Sequence, residues 1–386
     1  MIYLDNAATT YPKPREVQNA MSDALRRYGA NPGRAGHNMA MASSEEIFRC
    51  RTEAAEFFNA PGPECVAFTL NCTHALNYVI KGLLRPGDHV VISCLEHNAV
   101  VRPLHALKVF GVTYTEARVI PGDNDGTVNS FREALRPNTK LVVCSHASNV
   151  WGIRMPVDRI AALVHQYDIP IAVDCAQTAG LLPIDMQGSG IDYLCVAGHK
   201  GLYGPMGTGM LITAKGSSLS TVIEGGTGTD SINPQQPADM PERMESGTQN
   251  MPGIAGLRAG IGFVRGRGTA KILAHETSLL RSLYHELASM DGVELYTPVP
   301  DPEYYVPVLA FNIRGMRSET VGRELNGLGV AVRAGLHCAP AAHRFMGTLE
   351  TGAVRICPSV FSTTQDMSGA AYAVKRILMK KTAPKH

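Results

Sequence analysis

The stretch Asp192-Tyr193-Leu194-Cys195-Val196-Ala197-Gly198-His199-Lys200-Gly201-Leu202-Tyr203-Gly204-Pro205 decides how this chain is read. Its first half is a short apolar run, the pattern of a buried strand. Its second half is a glycine- and proline-rich turn. Lys200 stands on that turn, at a strand's carboxyl end, where it can face a cleft. A lone lysine is usually a solvated surface charge, so Lys200 gains meaning only if other segments agree.

Outward from this stretch, short apolar runs alternate with helical patterns, which predicts an α/β fold with a mostly parallel sheet. Strands are expected at His89–Cys94, Lys140–Ser145, Ile169–Val173, Tyr193–Ala197 and Gly209–Thr213. Ile47, Cys50, Ala54 and Phe58 recur at helical spacing, which predicts a helix over 44–59. A glycine-rich stretch near 253–265 opens a long helical region. Beyond it, strands are expected at Val308–Ile313 and Val330–Arg333, and helices at Glu319–Leu328 and Asp366–Met379. The division is then a large domain over 15–255 and a small α+β domain built from 1–14 and 256–386.

The 386 residues suffice for two domains, with 45% hydrophobic and 18% charged residues and a net charge of +2. That balance gives no electrostatic reason for a nucleic acid or an anionic membrane as partner. The N-terminus has no secretory signal pattern, and no apolar run reaches the ~20 residues that span a bilayer. Nine cysteines, from Cys50 to Cys357 without CxxC pairs, fit a reduced cytoplasm rather than a disulfide framework or zinc site. The tail 380–386 is expected to fray.

In an open α/β sheet ligands bind at the strands' carboxyl ends. After the run Val66–Leu70, Asn71-Cys72-Thr73-His74 opens a helical pattern, either a cradle for a phosphate or an ordinary cap at Thr73. After the next strand stands His97, which can stack on an aromatic ligand, move a proton or be structural. Then comes Asn149, a hydrogen-bond donor or a turn residue. Asp174 ends a buried strand and needs a partner for its charge, either a protonated pyridine nitrogen or a helix start. Gln177 follows three residues later. A phosphate cradle, a ring stack, partners for a ring nitrogen and oxygen, and an amine able to form a Schiff base are together what pyridoxal 5′-phosphate (PLP) requires.

At this point the chain resembles the class V aminotransferase fold and, within it, the cysteine desulfurase and selenocysteine lyase family. The matching stretches are Tyr3–Thr10, Glu96–Asn98, His146–Gly152, Val173–Gln177, Gly198–Lys200, Glu245–Thr248, Arg333–Ala339 and Val354–Ser359. The resemblance implies a fold type I PLP-dependent transferase, with a mostly parallel seven-stranded sheet in the large domain, assembled as a homodimer. It implies Lys200 as the Schiff-base lysine and His97 over the ring. Asp174 would meet the ring nitrogen, and Gln177 and Asn149 the ring oxygen. Cys72, Thr73 and His199 would hold the phosphate, and Thr248 would reach the phosphate of the partner subunit.

Cys338 lies in the loop 334–340, where a thiol beside His337 can be mobile and partly ionised, or a buried small hydrophobe. Arg355 follows 17 positions later and can clamp a carboxylate. The resemblance makes Arg355, with Asn149, the substrate-binding group and Cys338 the sulfur acceptor, in the short-loop (SufS-type) branch. It implies conversion of L-cysteine, or L-selenocysteine, to L-alanine, with the sulfur held as a Cys338 persulfide and passed to a protein acceptor. The departures are Cys72 in the phosphate turn, Ala197 in place of a serine, Phe361-Ser362-Thr363 and the turn 224–229. Other readings are a PLP lyase, epimerase or aminotransferase in which Cys338 is incidental, and a non-catalytic sulfur carrier.

Overall fold

The computed structural model describes residues 1–32, 36–216, 219–229 and 231–382. In order these form β1 (Ile2–Tyr3), α1 (Arg15–Asp23), α2 (Asn38–Phe57), β2 (Val66–Thr69), α3 (Cys72–Leu83), β3 (His89–Ser93), α4 (Asn98–Leu107), β4 (Thr113–Ala117), α5 (Asn124–Ala134), β5 (Thr139–Ser145), α6 (Val157–Val164), β6 (Ile171–Asp174), β7 (Tyr193–Ala197) and β8 (Gly209–Thr213). Then follow α7 (Met251–Arg267), α8 (Thr269–Ala288), β9 (Val293–Leu295), β10 (Leu309–Ile313), α9 (Ser318–Gly327), β11 (Val330–Ala331), β12 (Arg333–Gly335), α10 (Pro340–Met346), β13 (Ala353–Ile356) and α11 (Thr364–Thr382).

The large sheet has seven strands in the order β2-β8-β7-β6-β5-β3-β4, and only β8 runs antiparallel to its neighbours. Its central strands are apolar throughout because helices cover both faces. Alternate residues serve opposite cores. Val91, Val142, Val173 and Leu194 face one cluster with α2, α6 and α7. Ile92, Val143, Ala172 and Cys195 face the other with α3 and α4.

The small domain has an antiparallel sheet in the order β12-β13-β10-β9, packed with Leu280 and Leu283 of α8 and Val374 and Ile377 of α11. β1 pairs in parallel with β11, and Leu4 joins the same core. The expected division at 255/256 falls inside α7. Leu257 and Ile261 on the later turns of α7 still belong to the large core. The chain breaks afterwards at Gly268, whose φ of 84° favours glycine.

Several boundaries differ from the sequence reading. The helix predicted from 44 starts at Asn38, because His37 caps it by accepting a hydrogen bond from the Ala40 amide. The strand predicted over Val330–Arg333 divides at Val332, since β11 pairs with β1 and β12 with β13. Of the tail expected to fray, 380–382 continue α11, and Lys380 donates to Glu324. Residues 383–386 lie outside the described residues. Among the described residues no helix is long and apolar enough to cross a membrane.

The rings of Tyr203, Phe263 of α7 and Phe361 pack against one another. Tyr203 follows the Lys200 turn and accepts a hydrogen bond from the Val360 amide at 3.0 Å. Burial pushes the carboxyl of the buried Glu276 of α8 from 4.5 up to about 8, against the opposing pull of the same hydroxyl. A raised carboxyl favours the folded state fully below its unfolded value, and the contribution is lost as pH rises through about 8. Glu276→Gln is neutral throughout and should remove this loss. Urea unfolding of wild type should lose up to about 1.4 kcal/mol per pH unit across that window relative to the variant.

Candidate active site

The carboxyl ends of β3, β5, β6 and β7, with the start of α3, enclose one cavity. It is lined by Cys72, Thr73, His97, Asn149, Asp174, Gln177, His199 and Lys200, among others. The residues expected to hold the cofactor are therefore brought together, except Thr248, the one assigned to a partner subunit; Cys338 and Arg355 are not among the lining residues. Thr248 lies instead in a separate pocket with Arg51 and Glu245. That pocket is built by the buried Arg51–Glu245 pair, whose Glu245 also accepts from the Phe68 amide.

Asp174 is buried at the end of β6. Its Oδ1 accepts from the Ala176 amide at 2.9 Å and the Cys72 thiol at 3.2 Å. Its Oδ2 has no partner among the described residues and is left for a cationic donor. Cys72 therefore serves the aspartate, and burial pushes its thiol well above the usual range. Lys200 is held down by burial and then by Arg355, against the pull of Asp174. A lysine so placed has more free amine at neutral pH, the form that attacks a carbonyl.

His97 caps α4, its Nδ1 accepting from the Ala99 amide at 3.0 Å, so the proton sits on Nε2. Burial brings its pKa down to about 4 despite Asp174. The ring is thus neutral at pH 7 and presents a face to a flat ligand. Asn71, not Thr73, caps α3, accepting from the His74 amide at 2.9 Å. Thr73 is exposed in the first turn. The amides of Cys72 and Thr73 bond to no described residue, and the helix start favours an anion. His199 adds a buried Nδ1 with no partner among the described residues. This donor set suits a phosphate.

Two amides are engaged differently from expectation. Asn149 Nδ2 donates to the His337 carbonyl at 2.8 Å, and Gln177 Nε2 to the Ala7 carbonyl at 3.2 Å. Both residues still line the cavity, and both also fasten another segment to it. Arg355 is buried on β13, donating from Nη1 to the Asn149 carbonyl at 2.8 Å and from Nη2 to Asp5 at 3.0 Å.

Cys338 is exposed in the loop between β12 and α10. His337 and Cys338 both have positive φ, 50° and 57°, in a tight turn. The Cys338 carbonyl accepts from the Asn98 amide at 2.8 Å, next to His97. His337 is buried, bonds the Ala353 carbonyl through Nε2 at 2.9 Å and is driven down to about 3 by burial. It is neutral, so it gives Cys338 no positive neighbour. Its part is to shape the loop.

Glu96, Asp5, Thr9 and Thr10 stand within the matching motifs, but their roles are not legible from the motifs alone. Glu96 is fully buried and ties the ends of β3 and β5, accepting from the Ser145 amide at 2.8 Å, the Ser145 hydroxyl at 2.7 Å and the Ser93 hydroxyl. Burial pushes it up to about 7. Thr9, Thr10 and Lys13 bind the His199 carbonyl, and Thr10 also the Lys200 carbonyl. Lys13 was not singled out in the sequence. The signal for these roles was polar residues beside site residues, which composition and periodicity do not weigh. Among the described residues no group of three or more His, Cys, Asp or Glu could hold a metal ion.

Known proteins resemble the chain over nearly its whole length. The model of the family described as aminotransferase class-V matches residues 2–368. A probable cysteine desulfurase of Methanothermobacter thermautotrophicus is 34% identical over 95% of this chain and 92% of its own length. A cysteine desulfurase of Escherichia coli O157:H7 is 32% identical over 88% of this chain and 84% of its own. One of Synechococcus elongatus is 33% identical, but the chain spans only 60% of that longer relative. The apo structure of a cysteine desulfurase from Thermococcus onnurineus NA1 covers 98% of this chain at TM-score 0.90 and 27% identity, and 95% of that structure is covered. The cysteine desulfurase CsdA of Escherichia coli, in an S-sulfonic acid form, covers 98% at TM-score 0.87 and 26% identity, with 95% of that structure covered. The chain belongs to the class-V aminotransferase family and, within it, groups with the cysteine desulfurases.

Proposed function

We propose that this protein is a cysteine desulfurase that takes PLP as cofactor, converts L-cysteine to L-alanine and passes the sulfur through Cys338 to an acceptor. The observation that carries the reading is the pinning, to residues beside the Lys200 cavity, of the loop that carries an exposed thiol. Asn149 and the Asn98 amide hold the carbonyls of His337 and Cys338. A nucleophile kept beside the reacting centre converts an encounter into a local step.

The residues fit the cofactor. Lys200 would hold its aldehyde carbon, Asp174 Oδ2 its ring nitrogen and the neutral His97 its ring face. The amides of Cys72 and Thr73 and the unpartnered His199 Nδ1 would hold its phosphate. When bound, PLP supplies an electron-withdrawing ring that stabilises negative charge on the substrate α-carbon. Arg355 binds the substrate carboxylate. Lys200, with its amine freed by burial, takes the α-proton. The sulfur of Cys338 then accepts the substrate sulfur, its S–S bond forming as the substrate Cβ–S bond breaks, and the electron pair of that bond stays with Cβ, which takes a proton to become the methyl group of alanine. Because Cys338 is exposed, a protein acceptor can reach the persulfide.

The same reading includes a homodimer. Thr248 lies outside the cavity of its own chain, in a pocket near the exposed Phe48 of α2, and a second copy would bring it to the phosphate. It also includes a cytoplasmic location, supported by nine free cysteines.

Incubation with L-cysteine and a thiol reductant should release alanine and sulfide in equal amounts, and Cys338→Ala should lose both by about 10²-fold or more. Retained sulfide release in that variant would sink the persulfide route. Arg355→Ala should raise KM for L-cysteine by about tenfold to a hundredfold, as expected for losing a charged hydrogen-bond pair. Brief alkylation of the folded protein, read by peptide mass, should label Cys338 first, because seven of the other eight thiols are buried and Cys94 is half-buried.

A further inference from the structure

The carboxylate clamp is closed in this structure. Arg355 is only 2% exposed. Its Nη1 is used by the Asn149 carbonyl, and its Nη2 by Asp5 Oδ1 at 3.0 Å. Its Nε is buried and has no partner among the described residues. Nε and Nη2 lie on one edge of the planar guanidinium, and a carboxylate bound bidentately takes both N–H groups of an edge. One half of that edge is therefore vacant and the other half carries a carboxylate from the chain itself.

From this geometry we propose that Asp5 is an internal surrogate for the substrate carboxylate, covering Arg355 in the free enzyme and displaced when the amino acid binds. The inference rests on the reading of Arg355 as the substrate clamp. A buried guanidinium without a counter-charge is costly, and Asp5 answers that charge while no substrate is present. Two carboxylates on one edge repel, so the incoming group excludes Asp5. The backbone of Asp5 is fixed by its bridge to Cys357 and by the Ala8 amide, which donates to its carbonyl at 3.0 Å. Displacement is thus a rotation of the side chain, which is 22% exposed and has water to turn into. Asp5 thereby sets substrate affinity, because each binding event must break the Asp5–Arg355 pair.

The test uses the holoenzyme and L-alanine, which carries the amine and carboxylate of the substrate without its sulfur. Asp5→Asn removes the competing charge and should tighten L-alanine binding, measured by titration calorimetry, by about tenfold. It should also lower the melting temperature without ligand and enlarge the shift that L-alanine gives. Unchanged or weaker binding in Asp5→Asn, with Arg355→Lys weakening it, would overturn the surrogate and leave the clamp standing. Binding unchanged by Arg355→Lys would overturn the clamp reading itself. Should Asp5→Asn fail to fold, a crystal structure of the wild-type holoenzyme with L-alanine decides. The proposal expects the ligand carboxylate on Nε and Nη2, with Asp5 out of ion-pair reach. Asp5 still on Nη2 beside the bound ligand would refute it.

Discussion

Parallel pairing of β3, β5, β6 and β7 is the constraint from which the site follows. Register places Ser145 beside Asp174 and Asp174 beside Cys195, so the strands end at one level. Each strand then releases one polar residue at the same edge of the sheet. Glu96 reinforces that edge by bonding the end of β3 to the end of β5 from within the core. The cavity is thus a property of the sheet's topology, with side chains that differ from strand to strand.

Desolvation sets the chemical character of this edge. It makes His97 and His199 neutral at pH 7, each brought down to about 4. It pushes Lys200 toward the free amine. Asp174 and Arg355 are met by named partners: the Cys72 thiol and Ala176 amide for one, Asp5 and the Asn149 carbonyl for the other. Water-poor surroundings strengthen each of these contacts and make each unpartnered donor a place for a ligand.

The N-terminal segment is a structural part of the site. Asp5 meets Arg355, Ala7 receives Gln177, and Thr9 and Thr10 hold the carbonyls of the Lys200 turn. It also adds β1 to the small domain through β11. One short stretch therefore touches Arg355, the cavity wall and the lysine turn, and pairs with β11.

Strands such as Tyr193–Ala197 and Gly209–Thr213 were legible to the residue, because strands buried on both faces read as apolar runs bounded by small and polar residues. Lys200, Asp174, His97 and Asn149 were legible as strand-end residues, and Cys338 and Arg355 through family resemblance. Three matters belonged to the tertiary structure alone. The cap of α3 went to Asn71 because of its extended backbone, and His337 was removed as an activator of Cys338 by burial against Ala353. Asp5 and Arg355, 350 positions apart, became partners. By itself the sequence determined the alternation of strand and helix and the kinds of side chain at each strand end, since both depend on local pattern. Only the tertiary structure decided which of those groups are charged, which are already bonded and which are left open, since desolvation and long-range pairing arise from residues that no local pattern brings together.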